Sequence, residues 1–219
     1  MSFDAARCPI VVNCRDRVTH LRSLVAWLER AGHRNIILLD NGSTYGPLLA
    51  YLRRSPHKVV WLGQNLGSHA IWDCGLRLTD DWYVYTDPDV IPTEDCPLDA
   101  VAYLHGLLDR HSDFPKAGLG LHIGDVPNSL ASLDWERSLV CPGRLVPGEH
   151  DVYSSLVDTT FALYRPRTVH GLVALRTGGD YQVRHMPWYY PSTHVSDEDR
   201  YYLDHAIAGP RGSSWAQIA

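Results

Sequence analysis

Two aspartates separated by a proline, Asp87-Pro88-Asp89, follow a run of large apolar and aromatic residues at positions 82–86. Two carboxylates that a proline holds on one turn can face a single hard cation. Mg²⁺ or Mn²⁺ prefers such oxygen ligands and keeps coordination positions open for phosphate oxygens. A cation in this place would neutralise the charge that builds up on a departing diphosphate. Aspartate and proline are also ordinary turn residues, so this DxD tripeptide alone leaves a solvated turn as the alternative.

Strand and helix signals alternate in the part of the chain that leads to this pair. The apolar runs with the length and composition of buried strands are residues 9–12, 36–39, 59–62 and 82–86. The stretches between them predict helices, and Asp16 and Ser68 stand where N-terminal caps are expected. Alternation of this kind is typical of a mainly parallel sheet with right-handed crossovers and helices on both faces. The sequence therefore predicts an α/β fold.

Polar side chains follow each of the predicted strands. They are Asn13 and Arg15 after the first strand, Asp40 after the second, Asn65 after the third, and Asp87 and Asp89 after the fourth. Sheets of this type bind ligands beyond the carboxyl ends of their strands. We therefore expect these side chains to share one edge of the sheet and to form a ligand site there.

Composition narrows the classes of function. The 219 residues carry a formal net charge of -5, which argues against a broad basic face for nucleic acid. No stretch approaches the roughly 20 apolar residues of a transmembrane helix, and the N-terminus lacks the apolar core of a secretory signal. The five cysteines are odd in number without CxxC spacing, which favours reduced thiols over disulfides or a zinc site. We expect a cytoplasmic protein.

Four motifs in one order resemble a known family. They are Asn13-Cys14-Arg15-Asp16-Arg17, Asp40-Asn41-Gly42-Ser43-Thr44, Gln64-Asn65-Leu66-Gly67 and Thr86-Asp87-Pro88-Asp89. This order, within residues 9–92, is similar to the GT-A glycosyltransferases, closest to the family-2-like group. The resemblance implies a Rossmann-like GT-A fold with three α/β/α layers. It also implies a single domain over residues 1–219, with a nucleotide-sugar-binding half at 9–92 and an acceptor-side half at 93–219.

The resemblance also implies roles for individual residues. Those that would place the donor nucleotide are Asn13, Arg15, Asp40, Asn65, Gly67, Asp73 and Asp87. Among them, Asp40 matches the acid that contacts the base or ribose. Asp89 would be the principal ligand of a Mn²⁺ or Mg²⁺ ion that holds the donor diphosphate, with Asp87 beside it. The family most often uses UDP-sugars, and the acceptor would be a hydroxyl of a glycan or a small molecule.

The catalytic base is less defined. Inverting members of the family usually carry a downstream Glu-Asp pair, and no clear copy follows the strand predicted at residues 159–164. Asp158, at the start of that strand, is the preferred base, because a base must reach the acceptor hydroxyl directly or through one water. Asp125 is an alternative, whereas Glu198-Asp199 reads as the exposed start of a helix. A retaining mechanism needs no such base, so both stereochemical outcomes stay open.

A second group of candidates lies late in the chain. His185 is predicted as a further metal ligand, as in several GT-A enzymes, with His194 as a weaker rival. Arg184 is a candidate for contact with the diphosphate. Trp188 and Tyr189 are candidates for stacking on a sugar ring of the acceptor. For a single histidine, a structural role is the alternative to ligation.

Two other functions compete with the glycosyltransferase hypothesis. A nucleotidyltransferase also pairs acids on Mg²⁺ above an α/β sheet, but it normally needs a glycine-rich loop near the N-terminus, and residues 8–17 contain no glycine. A non-catalytic nucleotide- or carbohydrate-binding module, in which the acids hold a structural cation, is the alternative from another class.

Overall fold

The computed structural model describes residues 3–127, 133–134, 136–140, 143–189 and 195–205. Its α-helices are α1 (Thr19–Arg30), α2 (Gly46–Arg54), α3 (Ala70–Asp73), α4 (Ala100–Arg110) and α5 (Asp197–Asp204). Its strands are β1 (Ile10–Cys14), β2 (Ile36–Asp40), β3 (Lys58–Trp61), β4 (Tyr83–Thr86), β5 (Val90–Pro92), β6 (Lys116–Gly118), β7 (Gly120–Leu121), β8 (Arg144–Leu145), β9 (Val152–Leu156), β10 (Ala162–Tyr164), β11 (Val173–Thr177) and β12 (Gln182–His185). Two 3-10 turns, Gly67–His69 and Met186–Tyr189, and a π-helical stretch, Glu136–Val140, are also present.

Nine of these strands form one sheet in the order β3-β2-β1-β4-β10-β6-β11-β9-β8, and β5-β12-β7 form a small second sheet. The first four strands are parallel throughout, with β1 hydrogen-bonded to β2 on one side and β4 on the other. Only β9 and β10 run against the common direction of the large sheet. The predicted α/β class with a mainly parallel central sheet is therefore confirmed.

Alternate residues of β1 enter the two opposite faces of the sheet, as the period of two in a strand requires. Ile10 and Val12 belong to the core that also contains the apolar sides of α1, α2 and α4. Val11 belongs to the second core, which contains Ala70 and Ile71 of α3. Helices thus cover both faces, and because both faces are buried, the strands read as continuous apolar runs rather than alternating ones.

The order of the strands creates a crevice between β1 and β4. The chain moves from β1 outward to β2 and β3 on one side, and then crosses back over β1 to place β4 on the other side. Because crossovers are right-handed, the helices that lead towards β2 and β3 lie on one face of the sheet, and the connection that leads back to β4 lies on the other. The loops after β1 and β4 therefore diverge. Such a switch point is where open α/β sheets bind ligands.

Several local expectations were wrong. The strand predicted at residues 159–164 begins only at Ala162. The helix after Ser68 is reduced to a 3-10 turn and the four-residue α3. Asp16 does not cap α1: its backbone has a φ of 50°, and its carboxylate accepts hydrogen bonds from the amides of Thr44 and Tyr45 before α2.

The carboxylate of Glu198, from the far end of the chain, accepts hydrogen bonds from the amides of Val18 and Thr19 and so takes over the cap of α1. Charge favours this contact, because a helix N-terminus carries a partial positive charge. In the part of the chain that the structure describes, no helix combines the length and apolar character needed to cross a membrane.

Candidate functional site

The loops after β2 and β3 are fixed against each other beside the crevice. The side chain of Asn41 donates to the carbonyl oxygen of Gly67 at 2.8 Å and accepts from the amide of Leu66 at 2.7 Å. Gly42 has a φ of 70°, and a Cβ at this position would lie 2.5 Å from the carbonyl carbon of Gln64. Only glycine fits so close an approach, so the Asp40-Asn41-Gly42 and Gln64-Asn65-Leu66-Gly67 motifs form one rigid wall.

Two unsatisfied oxygens lie in this wall. The Oδ1 atom of Asp40 is buried and has no hydrogen-bond partner among the described residues, although Oδ2 accepts from the Ser43 amide at 3.4 Å. The Oδ1 atom of Asn13 is likewise buried without a hydrogen-bond partner among the described residues, while its side-chain nitrogen donates to the carbonyl oxygen of Gly67. Burial raises the pKa of Asp40 above its ordinary value. Buried acceptors without donors are costly, so these atoms are ready to receive donors from a ligand.

Asp89 is buried at the end of β4 and already has a cationic partner. Its Oδ2 atom lies 2.7 Å from Nη2 of Arg17 and 4.0 Å from Nε2 of His185. Burial would raise the pKa of Asp89, but the charge of Arg17, followed by those of His185 and His20, lowers it below the ordinary value. Asp89 is therefore an anion whose charge one guanidinium balances.

Asp87 has the opposite character. Its Oδ2 atom accepts a hydrogen bond of 2.8 Å from the hydroxyl of Thr159, which precedes β10. Burial, followed by the negative charge of Asp89, raises the pKa of Asp87 well above its ordinary value. Ionisation of both carboxylates is therefore unfavourable while Arg17 alone balances Asp89. A second positive charge near the pair would therefore be bound favourably.

Helix α5 covers the side of the crevice formed by the loop after β1. The guanidinium of Arg17 lies 4.2 Å from the ring centre of Tyr202. Arg15 donates to the carbonyl oxygen of His205 at 2.7 Å, and the hydroxyl of Tyr201 donates to that of Thr44 at 3.0 Å. The C-terminal part of the described chain therefore holds both arginines of the first motif.

Asp158, predicted as the base, is exposed in the loop that leads to β10. Its Oδ1 atom lies 3.3 Å from Nε2 of His170, and its neighbour Thr159 is the donor to Asp87. The buried ammonium of Lys116 donates to the carbonyl oxygens of Val157 and Asp158 and thereby fixes the loop. Asp158 is thus near the acidic pair, but as a loop residue rather than as the start of a strand.

Of the other acidic candidates, Asp125, Glu198 and Asp199 are held in structural contacts, whereas Asp73 is exposed. Asp125 accepts from Arg184 and from the hydroxyl of Tyr189. Asp73 ends α3 on the surface. Glu198 and Asp199 begin a helix, as expected, but they are buried rather than exposed, with Asp199 bonded to the Ser196 cap.

The late aromatic and basic candidates divide between core and surface. Arg184 is already paired with Glu94 and Asp125. Trp188 is 5% exposed and belongs to the hydrophobic core, with its ring T-shaped to that of His185. Tyr189 is half-buried, and its acceptor-binding role stays a prediction. His194 lies outside the described residues.

Sequence reasoning missed several residues of this site. Arg17 lies in the first motif, but the sequence pattern predicts no role for it. Asn41 lies in the second motif, and its side chain joins the two loops. Lys116, Thr159 and Glu198 carry no sequence signal for the contacts they make, because their partners are 41 to 180 positions away.

No protein-family model and no curated protein matches the sequence. Among solved structures, a glucosyl-3-phosphoglycerate synthase from Mycobacterium tuberculosis, crystallised with phosphoglyceric acid, is similar at 17% identity with a TM-score of 0.45. The match covers 73% of this chain and 57% of that chain, so the chain spans little more than half the length of that enzyme. A 4-diphosphocytidyl-2C-methyl-D-erythritol synthase is similar at 15% identity with a TM-score of 0.36, over 89% of this chain and 83% of that one. At these values neither likeness assigns an activity.

Proposed function

We propose that this chain is a glycosyltransferase that moves a sugar from a nucleotide-diphosphate donor, with a UDP-sugar favoured, to a hydroxyl acceptor. The observation that carries the proposal is the position of Asp87 and Asp89 at the β1/β4 switch point, beside a buried wall that contains the unpaired oxygen of Asp40. The order of the four motifs, which resembles that of GT-A glycosyltransferases, supports the same function.

The wall suits a nucleoside. The free Oδ1 atom of Asp40 can accept from a base N–H or a ribose hydroxyl, and that of Asn13 offers a second acceptor. Asn65 and Gly67 give the loop its shape, since the side chain of Asn65 accepts from the amide of Gly67 at 2.9 Å. A ligand that satisfies both buried acceptors would recover the desolvation cost that the free protein carries.

The acidic pair suits a divalent cation. Asp87 and Asp89 supply carboxylate oxygens, and Nε2 of His185 lies 4.0 Å from Oδ2 of Asp89, a separation that two ligands of one ion can adopt. We infer that these three residues hold Mn²⁺ or Mg²⁺, which when bound neutralises charge on the donor diphosphate. Arg17 occupies Oδ2 of Asp89 in the free protein and must move or share that carboxylate.

Asp158 is our candidate for the base of an inverting transfer. Its carboxylate is solvent-exposed, its neighbour Thr159 contacts Asp87, and its backbone is fixed by Lys116. An exposed carboxylate that borders the leaving-group site can take the proton of an entering hydroxyl. The acceptor-side half, residues 93–219, would then bind the acceptor, a glycan or small molecule.

Thermal stability against a ligand panel tests the donor site, because a ligand that binds only the folded state raises the melting temperature. We expect UDP with Mn²⁺ to stabilise the protein more than either component alone. Asp89→Asn should abolish the Mn²⁺-dependent part. Asp109→Asn, an exposed aspartate on α4, is the matched control and should keep it.

Turnover of a panel of nucleotide-sugars, followed by mass spectrometry, tests catalysis. Sugar transfer that persists at full rate in excess EDTA would contradict the metal role. Stabilisation by nucleoside triphosphates in place of nucleotide-sugars would point to a nucleotidyltransferase instead. Binding of nucleotide without turnover of any donor would leave a non-catalytic module.

A further inference from the structure

Two histidines and an aspartate from three separate segments meet beside the proposed donor site. His69 ends the 3-10 turn after the third motif, Asp158 precedes β10, and His170 lies in the loop after it. One ligand atom of each lies within 4.8 Å of the others. Nε2 of His170 is 3.3 Å from Oδ1 of Asp158, and the two imidazole rings are 3.9 Å apart between centres.

The surroundings hold the three side chains in place. The ring of Trp72 packs edge-on against both histidines, at 5.7 Å from His69 and 5.4 Å from His170. Its indole nitrogen donates to the hydroxyl of Tyr83 and the carbonyl oxygen of Thr168, two residues before His170.

The buried ammonium of Lys116 fixes the segment that contains Asp158, because it donates to the carbonyl oxygens of Val157 and Asp158. Each member of the group is thus attached to buried structure. A site whose ligands are prepositioned by packing loses less entropy on binding.

The types of ligand point to one class of ion. Two imidazoles and one carboxylate favour Zn²⁺, Co²⁺ or Ni²⁺ over Mg²⁺ or Ca²⁺, which prefer oxygen. Metal–ligand bonds of about 2.0–2.2 Å bring ligand atoms within roughly 4.4 Å of each other, so small rotations of these side chains close the site. His170 and Asp158 are partly exposed, which gives an ion a route of entry.

We propose that His69, Asp158 and His170 form a binding site for a transition-metal ion of the zinc class, distinct from the Asp87–Asp89 pair. The site does not depend on the transferase proposal, since it is tested without donor or acceptor. The alternative is a stacked imidazole pair with a carboxylate counter-ion and no affinity for metal. The two differ in one measurement, the affinity of the metal-free protein for Zn²⁺.

Calorimetric titration of Zn²⁺ is performed in an Asp89→Asn background, so that the acidic pair does not contribute a second site. We expect one zinc per chain, and at least about 10-fold weaker binding in each of His69→Gln, Asp158→Asn and His170→Gln. His150→Gln is the control, because His150 forms a similar but isolated and exposed pair with Asp151. It should bind zinc as its parent does.

The visible absorption of bound Co²⁺ provides a second readout, which would not change if the three side chains had only a structural role. Co²⁺ in a site of four-coordinate type gives strong visible absorption, and His170→Cys, which keeps a ligand atom, should retain it with an added sulfur-to-cobalt band. Circular dichroism checks that each variant folds. The proposal is overturned if the parent binds zinc no tighter than His170→Gln, if the control loses as much affinity, or if a folded His170→Cys protein fails to bind cobalt.

Discussion

Replacement of Arg17 by methionine tests whether the acidic pair needs a cation. In the free protein, Arg17 and Asp89 form a buried ion pair whose side chains are 6% and 5% exposed. Removal of one partner from such a pair leaves an uncompensated buried charge and costs about 3–5 kcal/mol. For a chain of this length that loss lowers the melting temperature on the order of 10 °C.

Arg17→Met should also change the response to metal. If Mn²⁺ binds the acidic pair as we propose, it must compete with the guanidinium of Arg17 for Oδ2 of Asp89, and the methionine side chain removes that competitor. Saturating Mn²⁺ should therefore raise the melting temperature of Arg17→Met more than that of the wild type. At about 100 times its dissociation constant, an ion that binds only the folded state contributes about 2.7 kcal/mol.

Arg110→Met is the matched control for this experiment. Arg110 donates to Glu149 at 2.8 Å, but its side chain is 53% exposed, and surface pairs contribute about 0–1 kcal/mol. Differential scanning fluorimetry with and without Mn²⁺ measures all three proteins. Equal Mn²⁺ shifts in the wild type and Arg17→Met would refute the reasoning, as would an Arg17→Met protein no less stable than the control.

Three further perturbations follow from the geometry. Burial lowers the pKa of Lys116 to about 8, so the unfolded chain binds this proton more tightly than the folded protein does. The wild type should therefore gain stability relative to Lys116→Met as pH rises from about 8 towards 10.5. Urea unfolding at about pH 7 and about pH 10 should show a relative gain of roughly 3 kcal/mol, and an unchanged difference would contradict this prediction. Glu198→Ala removes the cap of α1 and should cost about 0.5–2 kcal/mol in the same assay, whereas Glu94→Ala, on the surface, serves as control. If the transferase and the zinc-site proposals both hold, Zn²⁺ slows sugar transfer by binding Asp158, and His69→Gln raises the half-inhibiting zinc concentration at least about 10-fold. Inhibition that His69→Gln leaves unchanged would show that zinc does not inhibit through this site.

The parallel half of the fold follows from short-range patterns. Continuous apolar runs predicted β1, β2, β3 and β4, and their spacing left room for crossover helices, which determines a parallel arrangement. The polar residues after those runs then share an edge by geometry alone. This is why Asp40, Asp87 and Asp89 could be predicted to follow strands whose carboxyl ends lie at one edge of the sheet.

The loop before β10 shows why the second half resisted the same reasoning. Residues 159–161 are two threonines and a phenylalanine, which have strong strand propensity. However, the hydroxyl of Thr159 is bonded to Asp87, and the carbonyl oxygens of the two preceding residues are bonded to Lys116. These tertiary contacts fix the segment just before β10, and they override the local strand propensity.

The first motif contains two arginines that look equivalent in sequence, and charge balance determines which partner each of them contacts. Arg15 and Arg17 both stand after β1, and either could have met a diphosphate. Burial decides between them, because an anion as enclosed as Asp89 requires a partner, and Arg17 is the arginine that reaches it. Arg15 instead donates to the carbonyl oxygen of His205 beyond α5, where a neutral acceptor suffices. A cation that takes over Asp89 would release Arg17 from that carboxylate, and its guanidinium could then turn towards a bound diphosphate. We therefore expect ion binding and phosphate binding at this edge to reinforce each other.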